Sequence, residues 1–388
     1  KIVLSTKVTL VLLLAFAISM GVATFIENDH GTETARAMVY EALWFELIIA
    51  WMAINFLSHI NKYKLFSKGK WPVGLFHLAF VIIVLGAGIT RYFGKEGMIH
   101  IREKQEESTF YTNERYLQLE ALGHEKPHHF NEKLTFTPKT FSPFETNVEL
   151  AGKELKVKVA DYIAAGKESF IEGDQTYISL AVTKGEGRED YLLKEGQQVK
   201  LESLAIATKK DTEADVRIFK EEGEWMIESD KHLSIMEMST QKMGTLHKTE
   251  KKPLQFMSLY QWDGGAFLVK SINENSALSY KTEEDEKKAE NMTDVAHLVV
   301  EDTKGNKLND AFVHVVSIEP DWTKFEYEGQ EFGITYGPKA MKLPFSLYLS
   351  DFQLERYPGS RSPASYASEV EVRDGEHSFP FRIFMNNV

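Results

Sequence analysis

Three long apolar runs within the first 91 of its 388 residues constrain this chain more than any other feature. Residues 8–26 and 71–90 contain no charged side chain, and each is long enough to cross about 30 Å of hydrocarbon as a helix. Residues 42–60 include Glu46, Asn55 and His59 but are otherwise mostly apolar. The first run has the size of a signal peptide, yet two more runs follow closely, so the sequence predicts three retained transmembrane helices.

Residues 92–388 have a different composition, without any apolar run of that length. Seven of the 45 Lys/Arg and five of the 57 Asp/Glu precede Arg91, so the rest of the chain has a formal charge of −14. This acidic character argues against nucleic acid as a partner, since such a surface needs clustered Lys and Arg. The chain contains no cysteine, which excludes disulfides, thiolate metal sites and a cysteine nucleophile.

Alternating apolar and polar residues replace the helical pattern after residue 91. Residues 155–159, Leu-Lys-Val-Lys-Val, have the period of a half-buried strand, and with residues 148–150 they indicate a hairpin. Further strands are predicted at 177–182, 216–219, 296–300, 311–318, 345–349, 369–372 and 379–385, with turns at 304–306, 336–338, 357–359 and 374–375. We therefore predict a large, mainly-β region with sandwich-like packing, possibly two lobes, with the charged segment 281–288 near their boundary.

The loops between the apolar runs predict the orientation in the membrane. Between the first and second runs, acidic residues outnumber the single basic residue Arg36. The loop between the second and third runs is instead basic and carries Lys62, Lys64, Lys68 and Lys70. By the positive-inside rule this lysine loop is cytoplasmic, so residues 92–388 lie on the outer, periplasmic side. Arg91, at the outer end of the third run, lies on the side that the rule disfavours for a basic residue, but it does not outweigh four lysines.

Ionisable residues within the apolar runs are candidates for function, because charge is costly in lipid. His77 lies about 9 Å inside the third run, and its helical face also carries Gly74, Val81, Val84 and Gly88. Small residues there allow another helix to approach closely. His77 is either an axial ligand of a haem iron, a proton relay, or a neutral histidine hydrogen-bonded to a neighbouring helix. Glu46 and His59 lie near helix ends, where we expect them at the membrane interface.

No catalytic motif occurs in the remaining sequence: there is no G-x-S-x-G, H-E-x-x-H or phosphate-binding loop. His124, His128 and His129 form the segment HEKPHH, which could bind a metal but is expected to be an exposed loop. His100 lies just beyond the third run and could contact a ligand at the outer surface. The absence of C-x-x-C-H means that this chain carries no covalently attached haem.

Several longer motifs carry a resemblance to a known family. Residues 24–35 contain TFIEN-x-x-GT-x-TA, residues 39–46 are VYEALWFE, and residues 90–103 are TRYFGKEGMIHIRE. Residues 332–375 and 381–388 add FGITYGPKAMKLPFSLYLSDFQLERYPGSRSPASYASEVEVRDG and FRIFMNNV. Together they resemble the CcsB (ResB) half of the system II cytochrome c synthetase, most closely the fused CcsBA form. The middle of the chain, about 120–320, resembles it only weakly, and IREKQ departs from the family's IREG.

The resemblance implies a multi-pass protein of the bacterial inner membrane that takes part in cytochrome c maturation. Haem b, bound without covalent attachment, would be transported across the membrane and delivered to the C-x-x-C-H of apocytochrome c. His77, in LFHLAF, occupies the position of a family histidine that ligates the haem iron as one of an axial pair. The partner histidine and the tryptophan-rich WWD segment belong to the CcsA half, on the same or a separate chain. The haem lyase activity would require that half.

Two other classes of function remain open from the residues alone. A membrane-anchored scaffold or chaperone, binding protein partners but no haem, is equally compatible with a β-rich outer region. A transporter subunit with Glu46 as proton carrier is the third hypothesis, for which three helices are few. An intramembrane histidine on a small-residue face distinguishes haem delivery from the scaffold.

Overall fold

The computed structural model describes residues 3–123, 128–184, 187–360 and 362–386. Its N-terminal part is helical: α1 is Thr6–His30, α2 is Thr32–Ala35, a π-helical turn follows at Arg36–Tyr40, α3 is Leu43–Lys62 and α4 is Trp71–Phe93. Of these, α1, α3 and α4 are long and apolar enough to cross a membrane. The prediction of three such helices followed by a mainly-β region is therefore confirmed.

The helix ends follow from local chemistry. The Ser5 side chain accepts a hydrogen bond from the Val8 amide at the start of α1. Gly31 ends α1 with a φ of +80°, a left-handed conformation that favours glycine. The connection then returns the chain to α3, and Val39 of the π-helical turn and Phe45 of α3 pack against Ala23 of α1. Thus α3 lies between α1 and α4 and contacts both.

The rest of the described chain is built from 22 strands and one short helix. The first five strands are β1 Gly97–Met98, β2 Glu106–Ala121, β3 His128–Lys133, β4 Phe144–Leu150 and β5 Lys153–Ile163. The next eleven are β6 Gly166–Lys184, β7 Gly187–Lys194, β8 Gln198–Lys200, β9 Ala205–Ala207, β10 Val216–Glu221, β11 Glu224–Ser229, β12 Leu233–Glu237, β13 Met243–Leu246, β14 Glu250–Pro253, β15 Ser258–Trp262 and β16 Gly265–Thr282. After the helix α5 at Glu286–Ala289 come β17 Asp294–Asp302, β18 Lys307–Val315, β19 Thr323–Tyr327, β20 Gln330–Arg356, β21 Pro363–Asp374 and β22 His377–Phe384.

The chain forms two compact units, residues 1–166 with 282–388, and residues 167–281. In the first unit, a sheet ordered β1-β2-β20-β21-β22, with β3 beside β2 and β19 beside β20, accompanies a sheet ordered β18-β17-β5-β4. Apolar side chains of both sheets share one core, including Leu119, Ile334, Val157 and Leu298. Two sheets around a common apolar layer are the arrangement of a β-sandwich.

The second unit also contains two sheets around one core. Their strand orders are β14-β11-β10-β9-β8 and β13-β12-β15-β16-β6-β7. Buried side chains from both, among them Ile178, Val216 and Phe267, form its apolar core. The pairing of β9 with β10 is parallel, whereas the neighbouring pair of β10 and β11 is antiparallel.

The alternating segment at residues 155–159 forms the strand predicted for it. Leu155, Val157 and Val159 are buried, while Lys156 and Lys158 point away and pair with Glu145 and Glu301. The preceding turn has Ala151 and Gly152 at φ values of 52° and 73°, as the tight hairpin requires. The alternation of apolar and polar residues therefore predicted both the strand and the side of it that is buried.

The predicted turn at residues 336–338 is wrong, because these residues lie within the long strand β20. Pro338 has no amide hydrogen and interrupts regular pairing, and the register of β2 against β20 shifts here between Tyr111 and Arg115. The Gln118 amide donates to the Pro338 carbonyl over 3.0 Å, and the Thr112 hydroxyl accepts from the Lys339 amide over 3.0 Å. Side chains therefore replace the missing ladder bonds and the strand continues. The predicted strand at 311–318 likewise ends earlier, at Val315.

The end of the large sheet formed by β20, β21 and β22 has two unlike faces. The register places Arg373, Glu371 and Arg382 on one face, where they form ion pairs with Glu106, with each other and with Glu369. The opposite face is apolar yet exposed; it carries Phe352, Leu354, Tyr366, Phe379 and Phe381. We call it the apolar sheet face. Exposed apolar patches of this kind are typical of interaction surfaces.

Candidate functional site

His77 lies on α4 where that helix packs against α3. Its side chain is half-buried and contacts the ring of Phe56, with ring centroids 5.0 Å apart in an edge-to-face arrangement. The ring of His59, also on α3, lies 6.4 Å away. His77 therefore faces another helix of this chain, at a contact lined by aromatic rings.

One hydrogen bond fixes the tautomer of His77. Its Nδ1 lies 2.9 Å from the carbonyl oxygen of Val73, one turn earlier in α4. A carbonyl only accepts hydrogen bonds, so Nδ1 carries the proton and Nε2 of the neutral ring carries the lone pair. No hydrogen bond from the described residues reaches Nε2. An imidazole held in this way is suited to bind a metal through Nε2, and it is not bonded to a neighbouring helix.

The small-residue face of α4 divides into two parts. At Gly74 a Cβ would lie 3.0 Å from the Leu65 carbonyl oxygen, so glycine permits close packing there. Val81 is buried on the same face. A Cβ at Gly88 would meet nothing within 4 Å, so this part of the face is open. The approach of a further helix along the open part stays a prediction.

His59 is buried in the packing of the helices, and its place at the membrane interface stays a prediction. It is only 5% exposed, because α3 packs against both other long helices and its last turn faces α4. Its Nε2 is buried without a hydrogen-bond partner, and so is Oδ1 of Asn55, one turn earlier in α3. Sequence position gave the depth of His59 along the helix but not the direction in which it points.

Glu46 lies near the opposite end of α3 and has partners on α4. Arg91 forms an ion pair with it, and the Tyr92 hydroxyl donates to its Oε2 over 2.9 Å. The same guanidinium donates to the carbonyl oxygens of Tyr40 and Glu41, at 2.8 and 3.2 Å. This outer charge cluster (Tyr40, Glu41, Glu46, Arg91, Tyr92) joins the VYEALWFE motif to the TRYFGKEG motif in space. A paired Glu46 is poorly suited to carry protons.

Two solvent-accessible cavities adjoin this end of the helices. One, of about 550 Å³, is lined by every member of the outer charge cluster except Glu46, together with Asn113, Glu114 and Lys133 of the sheet region. The other, of about 880 Å³, is lined by residues 28–34 and by Arg115, Tyr162 and Asp294. Residues of the motifs that carry the family resemblance therefore line both cavities.

A buried polar network forms one wall of the larger cavity. Arg115 donates to the Tyr162 hydroxyl over 2.9 Å, and that hydroxyl donates to Asp294. The other Asp294 oxygen accepts from the Ala165 amide over 2.9 Å. Burial, together with the adjacent Asp294 carboxylate, raises the pKa of Tyr162. The hydroxyl therefore stays protonated, and the network braces strands β2, β5 and β17.

The other histidines singled out in the sequence do not come together. His100 is exposed. His128 and His129 are exposed on strand β3 rather than in a loop, because they pair with Ala121 and Glu120 of β2. His124 lies outside the described residues. Within the described ranges, no group of three His, Asp or Glu side chains could hold a metal ion.

Comparison with known proteins gives a relative that aligns with nearly the whole chain. No family model matches the chain. It is similar to Protein NrfI of Wolinella succinogenes, with 29% identity over 388 residues that cover 99% of this chain. The chain spans 29% of the length of that relative. The similarity thus includes the middle of the chain, where the motifs resemble the synthetase family only weakly.

Proposed function

We propose that this chain is the CcsB (ResB) part of a system II cytochrome c synthetase and acts in cytochrome c maturation. Its task is to hold haem b within the membrane and pass it outward for attachment to the C-x-x-C-H of apocytochrome c. The observation that carries this proposal is His77, whose proton is held at Nδ1 by the Val73 carbonyl. Its Nε2 lone pair is therefore available to iron.

The residues around His77 suit a porphyrin. Phe56 and Phe80 pack against each other beside the imidazole, with ring centroids 4.4 Å apart, and offer apolar aromatic surface. Neutral imidazole is a good axial ligand of haem iron. His77 supplies one axial bond, and a histidine of the CcsA half, on the same or a separate chain, supplies the other. The relative to which this chain is similar is more than three times as long, which supports a role as one part of a larger assembly.

The outer charge cluster supports the orientation proposed from the loops. Arg91, at the outer end of α4, is a basic residue on the side where the positive-inside rule disfavours it. Since Arg91 is paired with Glu46 and bonded to two backbone carbonyls, its charge is compensated there. The loop between α3 and α4 then lies in the cytoplasm, in the inner membrane of a bacterium, and the β region is periplasmic.

The test is the haem content of protein isolated from membranes of cells that keep the rest of the apparatus. We expect the absorption spectrum of six-coordinate haem in the wild type and loss of most of it in His77→Gly. Ile83→Gly is the matched control, because Ile83 is exposed on the same helix and the glycine costs the same roughly 1 kcal/mol. Full haem content with an unchanged spectrum in His77→Gly would refute the proposal.

A membrane-anchored scaffold or chaperone that binds no haem is the second candidate. The apolar sheet face favours it, since five exposed apolar side chains there are suited to a protein partner. The same measurement separates the two functions: a scaffold shows no haem absorption in either the wild type or the variants.

A further inference from the structure

A second imidazole, that of His59, lies beside His77 where α3 packs against α4 and has no role in the function proposed above. His59 is only 5% exposed, and its Nε2 has no hydrogen-bond partner. Asn55, one turn earlier, is fully buried; its amide donates to the Trp51 carbonyl over 3.1 Å, but its Oδ1 is unpartnered. Two polar atoms on one face of an apolar helix are thus left unsatisfied.

Such atoms are unusual in a packed interior. Each unsatisfied buried donor or acceptor costs about 1–3 kcal/mol, and a leucine at either position would avoid that cost. Buried groups of this kind gain a partner when a ligand enters. Because the ring of His59 lies beside that of His77 where α3 meets α4, the ligand would enter at the contact that contains His77.

The two histidines lie at different depths. His59 is three residues from the end of α3 at Lys62, about 4.5 Å along the helix. His77 is six residues from the start of α4 at Trp71, about 9 Å along that helix. His59 is therefore nearer to the lysine loop, and their ring centroids are 6.4 Å apart.

We propose that His59 is the entry ligand for haem: its Nε2 binds the iron first, and the iron then passes to Nε2 of His77. This inference rests on the proposed function, in which haem comes from the side of the lysine loop. The transfer is a ligand exchange in which one iron–nitrogen bond breaks and another forms. The iron keeps its oxidation state, and no proton moves, since both imidazoles bind as neutral rings.

The experiment measures the rate of haem loading. Wild type, His59→Ala and His59→Gln are purified from haem-limited cells with the rest of the apparatus, haemin is added, and the absorption spectrum is followed. Both variants should load at least tenfold more slowly, yet reach the wild-type spectrum and haem content, because His77 is intact. Glutamine keeps a polar group of similar reach but is a poor iron ligand. Phe45→Leu, a packing change in the contact of α3 with α1, should load at the wild-type rate.

The residual binding in a His77→Gly background gives a second measurement. The single variant should retain a weakly bound haem fraction held by His59 together with the histidine of the CcsA half, and this fraction should fall further in His77→Gly/His59→Gln, where only the CcsA histidine is left. Identical spectra of the single and double variants, or wild-type loading in both His59 variants, would overturn the entry-ligand role. Equal slowing by Phe45→Leu would also overturn it, by showing a packing effect. Full six-coordinate haem in His77→Gly would instead refute the proposed function itself.

Discussion

Glu46 of α3 and Arg91 of α4 form an ion pair at the ends of these helices opposite the lysine loop. The pair explains two residues that are costly in or beside apolar runs: each charge is compensated by the other, and the Tyr92 hydroxyl adds a hydrogen bond to Glu46. Because Arg91 also bonds the Tyr40 and Glu41 carbonyls, the pair ties the segment before α3 to the end of α4.

Removing one partner of this pair should destabilise the protein more than removing both. The side chains are 25% and 34% exposed, so Glu46→Gln or Arg91→Gln should cost about 2 kcal/mol, between the values for surface and buried pairs. The double variant should recover part of this, since no charge is left unpaired. Thermal unfolding of the purified protein in detergent measures these changes in stability. Lys324→Gln removes one partner of an exposed ion pair with Glu331 and should change the stability little. If the losses of the two single variants simply add in the double variant, Glu46 and Arg91 do not stabilise each other.

The Tyr162 hydroxyl should contribute measurably to the stability of the β region. Tyr162→Phe removes the acceptor of Arg115 and a donor to Asp294, leaving both charged groups short of a partner. We expect a loss of about 1–3 kcal/mol, measured as a lower denaturation midpoint. Tyr357→Phe is the control, because that side chain is mostly exposed and should be neutral. Equal stability of the two variants would show that the network adds nothing.

Much of the fold follows from the sequence, whereas the surroundings of the candidate site do not. Strict alternation located the strand at residues 155–159, since its period matches one buried face. The prediction of a turn around Pro338 failed for a physical reason. Proline and glycine usually end strands, but here Gln118 and Thr112 supply the missing hydrogen bonds. The depth of His59 was readable from helix length, but its burial depends on how α3 packs, which no periodicity of one helix reveals. The role of His77 stays a prediction.

Glu221 should make stability depend on pH in the acid range. Hydrogen bonds from Lys210 and Lys251 lower the pKa of its carboxyl from 4.5 to about 2. A lowered folded-state pKa contributes stability that is present above the unfolded value and lost as pH falls through the folded one. Wild type should therefore melt slightly above Glu221→Gln at pH 7, by a small amount because the group is exposed. The difference in melting temperature between wild type and Glu221→Gln should shrink as the pH falls from 4.5 to 2. A difference that stays constant over this range would contradict the prediction.

Added imidazole should restore part of the function of His77→Gly. The substitution removes the axial ligand and leaves a space beside Phe56, whose ring lies 5.0 Å from that of His77 in the wild type. Imidazole is small and neutral, so it can enter this space and bind the iron from the side that Nε2 occupied. Haem content and the amount of haem-stained cytochrome c in cells should therefore rise with imidazole concentration in the variant and stay constant in the wild type.

Two controls decide whether the rescue is specific. Ile83→Gly carries the same glycine cost in α4 and should show neither a haem deficit nor a response to imidazole. His77→Leu fills the space with an apolar side chain, so it should lose haem as His77→Gly does but gain nothing from imidazole. A pure scaffold would respond to none of these changes. If His77→Leu and His77→Gly recover equally, imidazole acts elsewhere, and ligation of iron at position 77 is not the reason for the loss.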